Sequence, residues 1–115
     1  MPRVDSGTLY GTLNLLILRT LDGGALHGLE IARRIGRISR DVLSVEEGAL
    51  YPALHRLERD GQVQAEWGIS DNNRRAKFYS LTKRGEQTLG NETSKWVRHA
   101  RAVSEVLGVT GQLVG

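Results

Sequence analysis

The spacing of apolar residues changes at Gly61, and this change limits the chain to folds that combine helices with a small sheet. Before Gly61, three segments carry apolar residues every three or four positions, which is the period of a helix that packs on one side. After it, residues 62–67 alternate polar and apolar side chains, as a half-buried strand does. With 115 residues, the chain has room for one domain.

Three helices are predicted before this change. The first covers residues 8–22, and its apolar side chains lie on more than one side, which predicts a core face and a subunit face. The second covers residues 27–40 and carries arginines opposite its isoleucines. The third follows residues 44–47, which have the S-x-x-E form of a capping box. Pro52 lies inside its pattern and predicts a kink or a late helix start near Gly48.

A β-hairpin and a fourth helix are predicted in the second half of the chain. Strands at residues 62–67 and 76–81 flank a polar tip. The last helix is capped by Thr82 or Gly85, and its apolar residues recur in two interleaved series with a period of seven. Nothing else in the chain is placed to cover this seam, so a second copy is expected to bury it. The predicted dimer interface comprises Leu13, Leu89, Trp96, Ala100, Val103 and Leu107.

Composition excludes several classes of protein. The chain has no Cys, and its three His lie far apart without a metal-ligand spacing, so neither a metal nor a cofactor is expected. The absence of a Ser-His-Asp arrangement and of a Gly-rich phosphate loop argues against an enzyme. The longest apolar run, residues 15–18, is too short for a membrane span, and a cytoplasmic protein is expected. Lys and Arg outnumber Asp and Glu by 16 to 13, which permits a nucleic-acid partner without requiring one.

Three helices followed by a two-stranded hairpin is the order of the winged helix-turn-helix fold. Three segments then carry a family resemblance. Residues 48–58 closely resemble the G-x-LYPAL-x-RLE signature of PadR-type transcriptional regulators. Residues 74–82 are similar to the family's RR-x-K-Y-Y-x-LT wing segment, with an inserted Ala and a Phe substituted. Residues 27–31 resemble the aromatic-Gly-x-Glu start of its second helix, with His in place of the usual Tyr.

The resemblance extends over residues 8–100 and implies a homodimeric DNA-binding regulator, usually a repressor. The expected fold is mainly α with a small β-hairpin, a winged helix-turn-helix with a C-terminal dimerisation helix. The DNA-binding domain is expected at residues 1–82, the dimerisation helix at 83–108 and a disordered tail at 109–115. The short single C-terminal helix resembles that of the smaller PadR class.

In a winged helix-turn-helix, the third helix faces the major groove and the hairpin tip lies along phosphate. Between Asp71 and Glu86 the sequence holds five cations and no acid, which predicts phosphate contact, although a solvated basic turn is the alternative. Residues 46–60 sum to −2, and Glu47 either accepts from a cytosine amine or serves the capping box. Tyr51 either contacts the DNA backbone or packs beside Pro52. The residues predicted to bind DNA are Tyr51, His55, Arg56, Arg74, Arg75, Lys77, Arg33 and Arg34.

The two tryptophans receive different interpretations. In some short PadR-like regulators, a paired Trp faces its symmetry mate across a pore and sandwiches flat aromatic ligands, and Trp96 aligns with that position. The resemblance therefore implies a planar aromatic effector at Trp96 and Ala100, although packing explains a Trp there equally well. Trp67 is predicted to pack in the core or in the wing.

Taken together, the residues and the resemblance predict a homodimeric repressor that binds double-stranded DNA at an inverted repeat and is released by a small aromatic effector. The alternative from another class is a protein-interaction module, in which the winged helix is only a scaffold and the exposed seam docks on a different protein. The acidic sum of the third helix is the main argument for that alternative.

Overall fold

The computed structural model describes residues 12–109, and in this range the order of elements confirms the predicted mainly helical fold with a small sheet. Helices pack around one core, and a hairpin projects from it. The elements are α1 (Leu13–Thr20), a 3-10 turn (Leu21–Gly23), β1 (Leu26–His27), α2 (Gly28–Ile38), α3 (Glu47–Arg59), β2 (Val63–Ile69), β3 (Arg75–Leu81) and α4 (Lys83–Leu107).

The core collects the apolar stripes of the predicted helices. Ile31 of α2 and Leu54 of α3 are completely buried in this core, as their helical spacing predicts, and Ile17 of α1 is completely buried with them. The first helix ends in the 3-10 turn before Gly24, whose φ of +139° only glycine adopts readily. Its predicted beginning at residues 8–11 lies outside the described residues.

Helix α2 is shorter than predicted at both ends. It begins at Gly28 because His27 caps it, the Glu30 N–H donating to His27 Nδ1 at 3.3 Å. It ends at Ile38, and the predicted last residue Arg40 lies outside the helix with a φ of +53°. Asp41 follows with a φ of +62°, so two consecutive left-handed residues turn the chain toward α3.

Helix α3 begins at Glu47, which confirms the late start that Pro52 predicts. The predicted capping box is wrong, because Glu46 and not Ser44 occupies the N-cap position, and the Glu46 side chain makes no cap hydrogen bond. Pro52 has no N–H, so the carbonyl of Gly48 has no helical hydrogen-bond donor four residues later. Because the helix begins at Glu47, immediately before Gly48, the missing hydrogen bond lies in its first turns. Gly61, with a φ of +73°, ends the segment as predicted.

The sheet has the order β1-β3-β2, with antiparallel pairing throughout. The predicted hairpin is present, and its register runs from Val63 opposite Leu81 to Ile69 opposite Arg75. Strand β1 was not predicted, because two residues are too few to show a period. This short strand brings His27, at the start of α2, beside Phe78, with their rings 5.6 Å apart edge to face.

Helix α4 starts at a fixed point beside the end of α3. The Gly85 N–H donates to Thr82 Oγ1 at 3.1 Å, which confirms the predicted cap, and the same hydroxyl donates to the Gly61 carbonyl at 2.6 Å. A Cβ on Gly85 would collide with the Gln62 carbonyl oxygen, so this close approach requires glycine. The helix ends at Gly108 in the left-handed conformation, and residues 110–115 of the predicted tail lie outside the described range.

Candidate nucleic-acid interface

A groove runs between α2, α3 and the inner face of the hairpin. Its walls combine aromatic, imidazole and guanidinium groups, with few carboxylates among them. The structure brings seven of the eight residues predicted to bind DNA to this one groove: Tyr51, His55, Arg74, Arg75, Lys77, Arg33 and Arg34. The eighth, Arg56, is half-buried on α3 and does not line the groove.

Helix α3 presents Tyr51 and His55 to the groove from the same face, four residues apart. Tyr51 packs on the backbone of Gly28, where an added Cβ would stand 2.8 Å from the Tyr51 Cε1 atom. Glycine at this position therefore lets α3 approach α2 closely. The Tyr51 residue as a whole is 37% exposed, and its hydroxyl oxygen also lies close to Gly28, 2.9 Å from the position of that Cβ.

Glu47 continues the face of Tyr51 and His55 by one turn toward the helix start. It is exposed, and among residues 12–109 its carboxylate has neither a hydrogen bond nor an ion pair. Because the capping box does not form, the interpretation of Glu47 as part of that box is removed. A free carboxylate at a helix N-terminus is stabilised by the helix dipole.

Helix α2 holds three arginines around one carboxylate. Glu30 lies 3.1 Å from Arg34 Nε, 3.7 Å from Arg37 Nη2 and 3.9 Å from Arg33 Nη1. The hydrogen bond from Arg34 holds the pKa of Glu30 below its ordinary value of 4.5, although partial desolvation acts in the opposite direction. The guanidinium groups that α2 brings to the groove are thus partly neutralised within the protein.

Lys77 connects the hairpin to α3. Its Nζ donates to Glu58 Oε1 at 3.2 Å, and this bond raises the pKa of Lys77 above its ordinary value of 10.5. This pairing offsets one negative charge of residues 46–60 with a cation from outside the helix. Sequence reasoning missed the role of Glu58, because the two partners are 19 residues apart.

The hairpin tip carries Arg74 and Arg75, both exposed and without an ion pair in the part of the chain that the structure describes. The Arg75 guanidinium lies over the indole of Trp67, 4.7 Å from the ring centroid. Trp67 is 61% exposed, so its predicted core position is wrong and its packing within the wing is what the structure shows. Lys83 and Arg84 lie at the start of α4 and do not line the groove.

A second concavity of about 470 Å³ lies between α1 and α4. Trp96, 44% exposed, forms part of its wall together with Leu15 and Leu18 of α1. Ala100, the other residue predicted at an effector site, is buried and does not line this pocket. The remaining lining residues are Asn14, Gln62, Thr88, Glu92, Lys95 and His99.

The predicted dimer interface divides into two groups. Leu13 and Leu89 are buried in the core of the single chain, only 3% and 8% exposed, so they offer no surface to a second copy. Ala100 is buried as well, whereas Trp96, Val103 and Leu107 are exposed along α4. The period of seven therefore mixes core-facing and outward-facing positions.

No set of three or more His, Asp or Glu side chains within residues 12–109 is placed to hold a metal ion. None of the helices in that range is long and apolar enough to cross a membrane.

Comparison with known proteins identifies relatives across most of the chain. The model of the "Transcriptional regulator PadR-like family" matches residues 17–91. The transcriptional regulator Rv3488 of Mycobacterium tuberculosis is 32% identical over 103 residues, which cover 90% of each protein. The structure of a PadR-like transcription factor from Bacteroides fragilis is 31% identical, with a TM-score of 0.69, over 88% of this chain and 95% of that one. A transcriptional regulator from Clostridium thermocellum shares the fold, with a TM-score of 0.79 at 24% identity over 89% of this chain and 96% of that chain.

Proposed function

Because this chain belongs to the PadR-like family of transcriptional regulators, which are not enzymes, we propose that it is a homodimeric repressor that binds an inverted-repeat operator through the groove between α2, α3 and the hairpin. The observation that carries this proposal is the convergence of seven predicted DNA-binding residues on one groove. Two of the seven, Arg74 and Arg75, stand at its rim without an ion pair among the described residues. A promoter-binding regulator of this kind works in the cytoplasm.

In the proposed complex, α3 enters the major groove and the hairpin tip follows the sugar-phosphate backbone. Tyr51, His55 and Glu47 share the exposed face of α3. Tyr51 and His55 donate to phosphate or to base acceptors, whereas the Glu47 carboxylate accepts from a cytosine amine. Arg74 and Arg75 displace counterions from phosphate, which strengthens binding to every sequence equally.

Two copies of the chain would read two half-sites related by a two-fold axis. The exposed residues of α4, Trp96, Val103 and Leu107, are the surface that we assign to the partner copy. Because α4 continues from the hairpin through the Thr82 cap, the angle between two such helices sets the distance between the two DNA-binding grooves.

We assign the regulation of this repressor to a planar aromatic molecule that stacks on Trp96. The pocket beside it has an apolar floor of Leu15 and Leu18, and its volume of about 470 Å³ is in the range of small-molecule sites. Such a ligand releases the operator only if it binds more tightly to one angle between the α4 helices than to the other. Ala100 is buried and does not line the pocket, so we assign it no contact with the ligand.

A mobility-shift assay tests the proposal. Duplex DNA from upstream of the protein's own gene is titrated at two salt concentrations, with random duplex as competitor. The proposal predicts a shifted complex that survives the competitor and weakens steeply with salt. Thermal-shift screening with planar aromatic compounds tests the effector separately, since a ligand of the folded state raises Tm.

Absence of any shift at low salt would favour the protein-interaction module. The structure weakens the argument for that alternative in part, because Glu58 is paired with Lys77 from outside the helix. Asp60 lies near Arg59, which the sum of −2 for residues 46–60 already counts. Pairing with Lys77 therefore removes one of the two net negative charges, while Glu47 keeps a carboxylate without an ion pair among the described residues.

A further inference from the structure

Trp67 is the most exposed aromatic side chain among residues 12–109. Ile69, two positions further along β2 on the same face, is 64% exposed. Two neighbouring large apolar side chains that remain this accessible are typical of a contact surface and not of packing within the chain.

Trp67 also holds a cation in place. The pairing of β2 with β3 sets Ile69 opposite Arg75 and Trp67 opposite Lys77, so Arg75 reaches the indole diagonally across the hairpin. Its guanidinium carbon lies 4.7 Å from the ring centroid. An arginine that is stacked in this way has lost part of its side-chain freedom already, so it loses less when it binds an anion.

The stacked pair lies in the wall of the DNA groove. Trp67 and Arg75 line it opposite Tyr51 and His55 of α3. Asp71 also lines the groove, but it makes no ion pair with Arg75. An apolar ring edge beside an unpaired guanidinium matches a nucleic-acid backbone, in which sugars alternate with phosphates.

We propose that Trp67 and Arg75 act as one unit that grips the DNA backbone, with the guanidinium on a phosphate and the indole against the adjacent deoxyribose. This inference rests on the proposed DNA binding and adds to it a contact residue that sequence reasoning had placed in the core or in wing packing. Because the unit touches only the backbone, it strengthens binding to operator and random duplex to the same extent.

Tryptophan fluorescence tests the contact directly, since the chain has only two Trp. In the Trp96→Phe protein, Trp67 is the sole indole, and its quenching by acrylamide is measured with and without random duplex DNA. We expect DNA to suppress this quenching more strongly than in the matched Trp67→Phe protein, where Trp96 is the sole indole. Equal suppression in the two proteins, or none in either, would overturn the proposal.

A double-mutant cycle tests the unit. We expect Trp67→Ala and Arg75→Ala each to weaken binding to random duplex and to flatten the salt dependence, and the double variant to lose less than the product of the two single effects. Trp67→Phe is expected to recover part of the loss because it keeps an aromatic face for Arg75. Strictly multiplicative losses would overturn the coupling, as would a lower Tm in Trp67→Ala with an unchanged salt dependence.

The two proposals fail in different ways. If the wild-type protein binds no duplex at all, the proposed function and this inference are both wrong. If it binds duplex while Trp67 stays as accessible to acrylamide as before, only the role of Trp67 is wrong.

Discussion

The hairpin tip and helix α2 bring the same residue type to the same groove in two different electrostatic states. On α2, Arg33 and Arg34 share the carboxylate of Glu30 with Arg37. At the tip, Arg74 and Arg75 have no carboxylate partner in the described range, and the Arg75 guanidinium lies over the Trp67 ring. The number of arginines on α2 therefore overstates the positive charge that is available to a ligand there. At the tip, the number of arginines equals the available charge.

The largest difference between the two regions is expected in DNA affinity. Arg74→Ala with Arg75→Ala should weaken binding to random duplex by about 10- to 100-fold, because both charges face phosphate in each half of a dimer. Arg33→Ala with Arg34→Ala should cost less than about tenfold, because Glu30 already compensates part of that charge. Fluorescence anisotropy at one fixed salt concentration compares the two. A larger loss of affinity in the α2 variant would show that the α2 arginines, and not those of the tip, make the stronger contact with phosphate.

Freeing the α2 arginines from the Glu30 carboxylate is expected to strengthen DNA binding. Glu30→Gln removes the shared carboxylate and should strengthen binding to random duplex by about threefold. Glu105→Gln makes the same change in net charge at the far end of α4, outside the groove, and is the matched control. Equal strengthening in both variants would show that only net charge matters, and not the arginines around Glu30.

Lys77 should behave as a paired cation although it lies on the hairpin. Lys77→Met combined with Glu58→Gln removes the ion pair without changing the net charge, and it should lower the free energy of unfolding by about 0.5 kcal/mol. DNA affinity should stay close to that of the wild type, in contrast to the tip variant. Chemical denaturation and anisotropy measure the two quantities. A loss of affinity as large as at the tip would make Lys77 a phosphate contact.

The smallest expected effect is the acid sensitivity of the α2 cluster. Since the pKa of Glu30 is lower in the folded chain than in the unfolded one, its ionised form stabilises the fold above pH 4.5, and this contribution disappears as the pH falls through the folded-state pKa. The wild type should exceed Glu30→Gln in stability by about 0.3 kcal/mol near pH 7, and the difference should shrink below pH 4.5 and vanish once the pH is below the folded-state pKa. A difference that is independent of pH would exclude the ion pairs as its cause.

Local patterns predicted most of the fold. The helical stripes predicted Leu13, Ile31 and Leu54 in one core, and the alternation after Gly61 predicted the hairpin. Features that depend on contacts distant in sequence were missed, among them β1. The capping box failed because Glu46 takes the N-cap position in the folded chain.

The sequence predicted which residues meet at the candidate site better than it predicted which of them are already paired within the protein. Residue types and the family resemblance selected seven residues that do meet in one groove. Which of them are already paired depends on partners such as Glu58, 19 residues from Lys77. A period of seven likewise cannot tell the buried Leu89 from the exposed Val103 on α4, because both recur at the same spacing.

The salt dependence of DNA binding tests most directly whether the unpaired tip arginines make the DNA contact. The logarithm of the affinity for random duplex is measured against the logarithm of salt concentration for the wild type, for Arg74→Ala with Arg75→Ala, and for Lys83→Ala with Arg84→Ala, which removes equal charge outside the groove. We predict that the slope becomes shallower by about 2 to 4 in the tip variant of a dimer and changes little in the α4 variant. Identical slopes in the wild type and the tip variant would contradict the assignment.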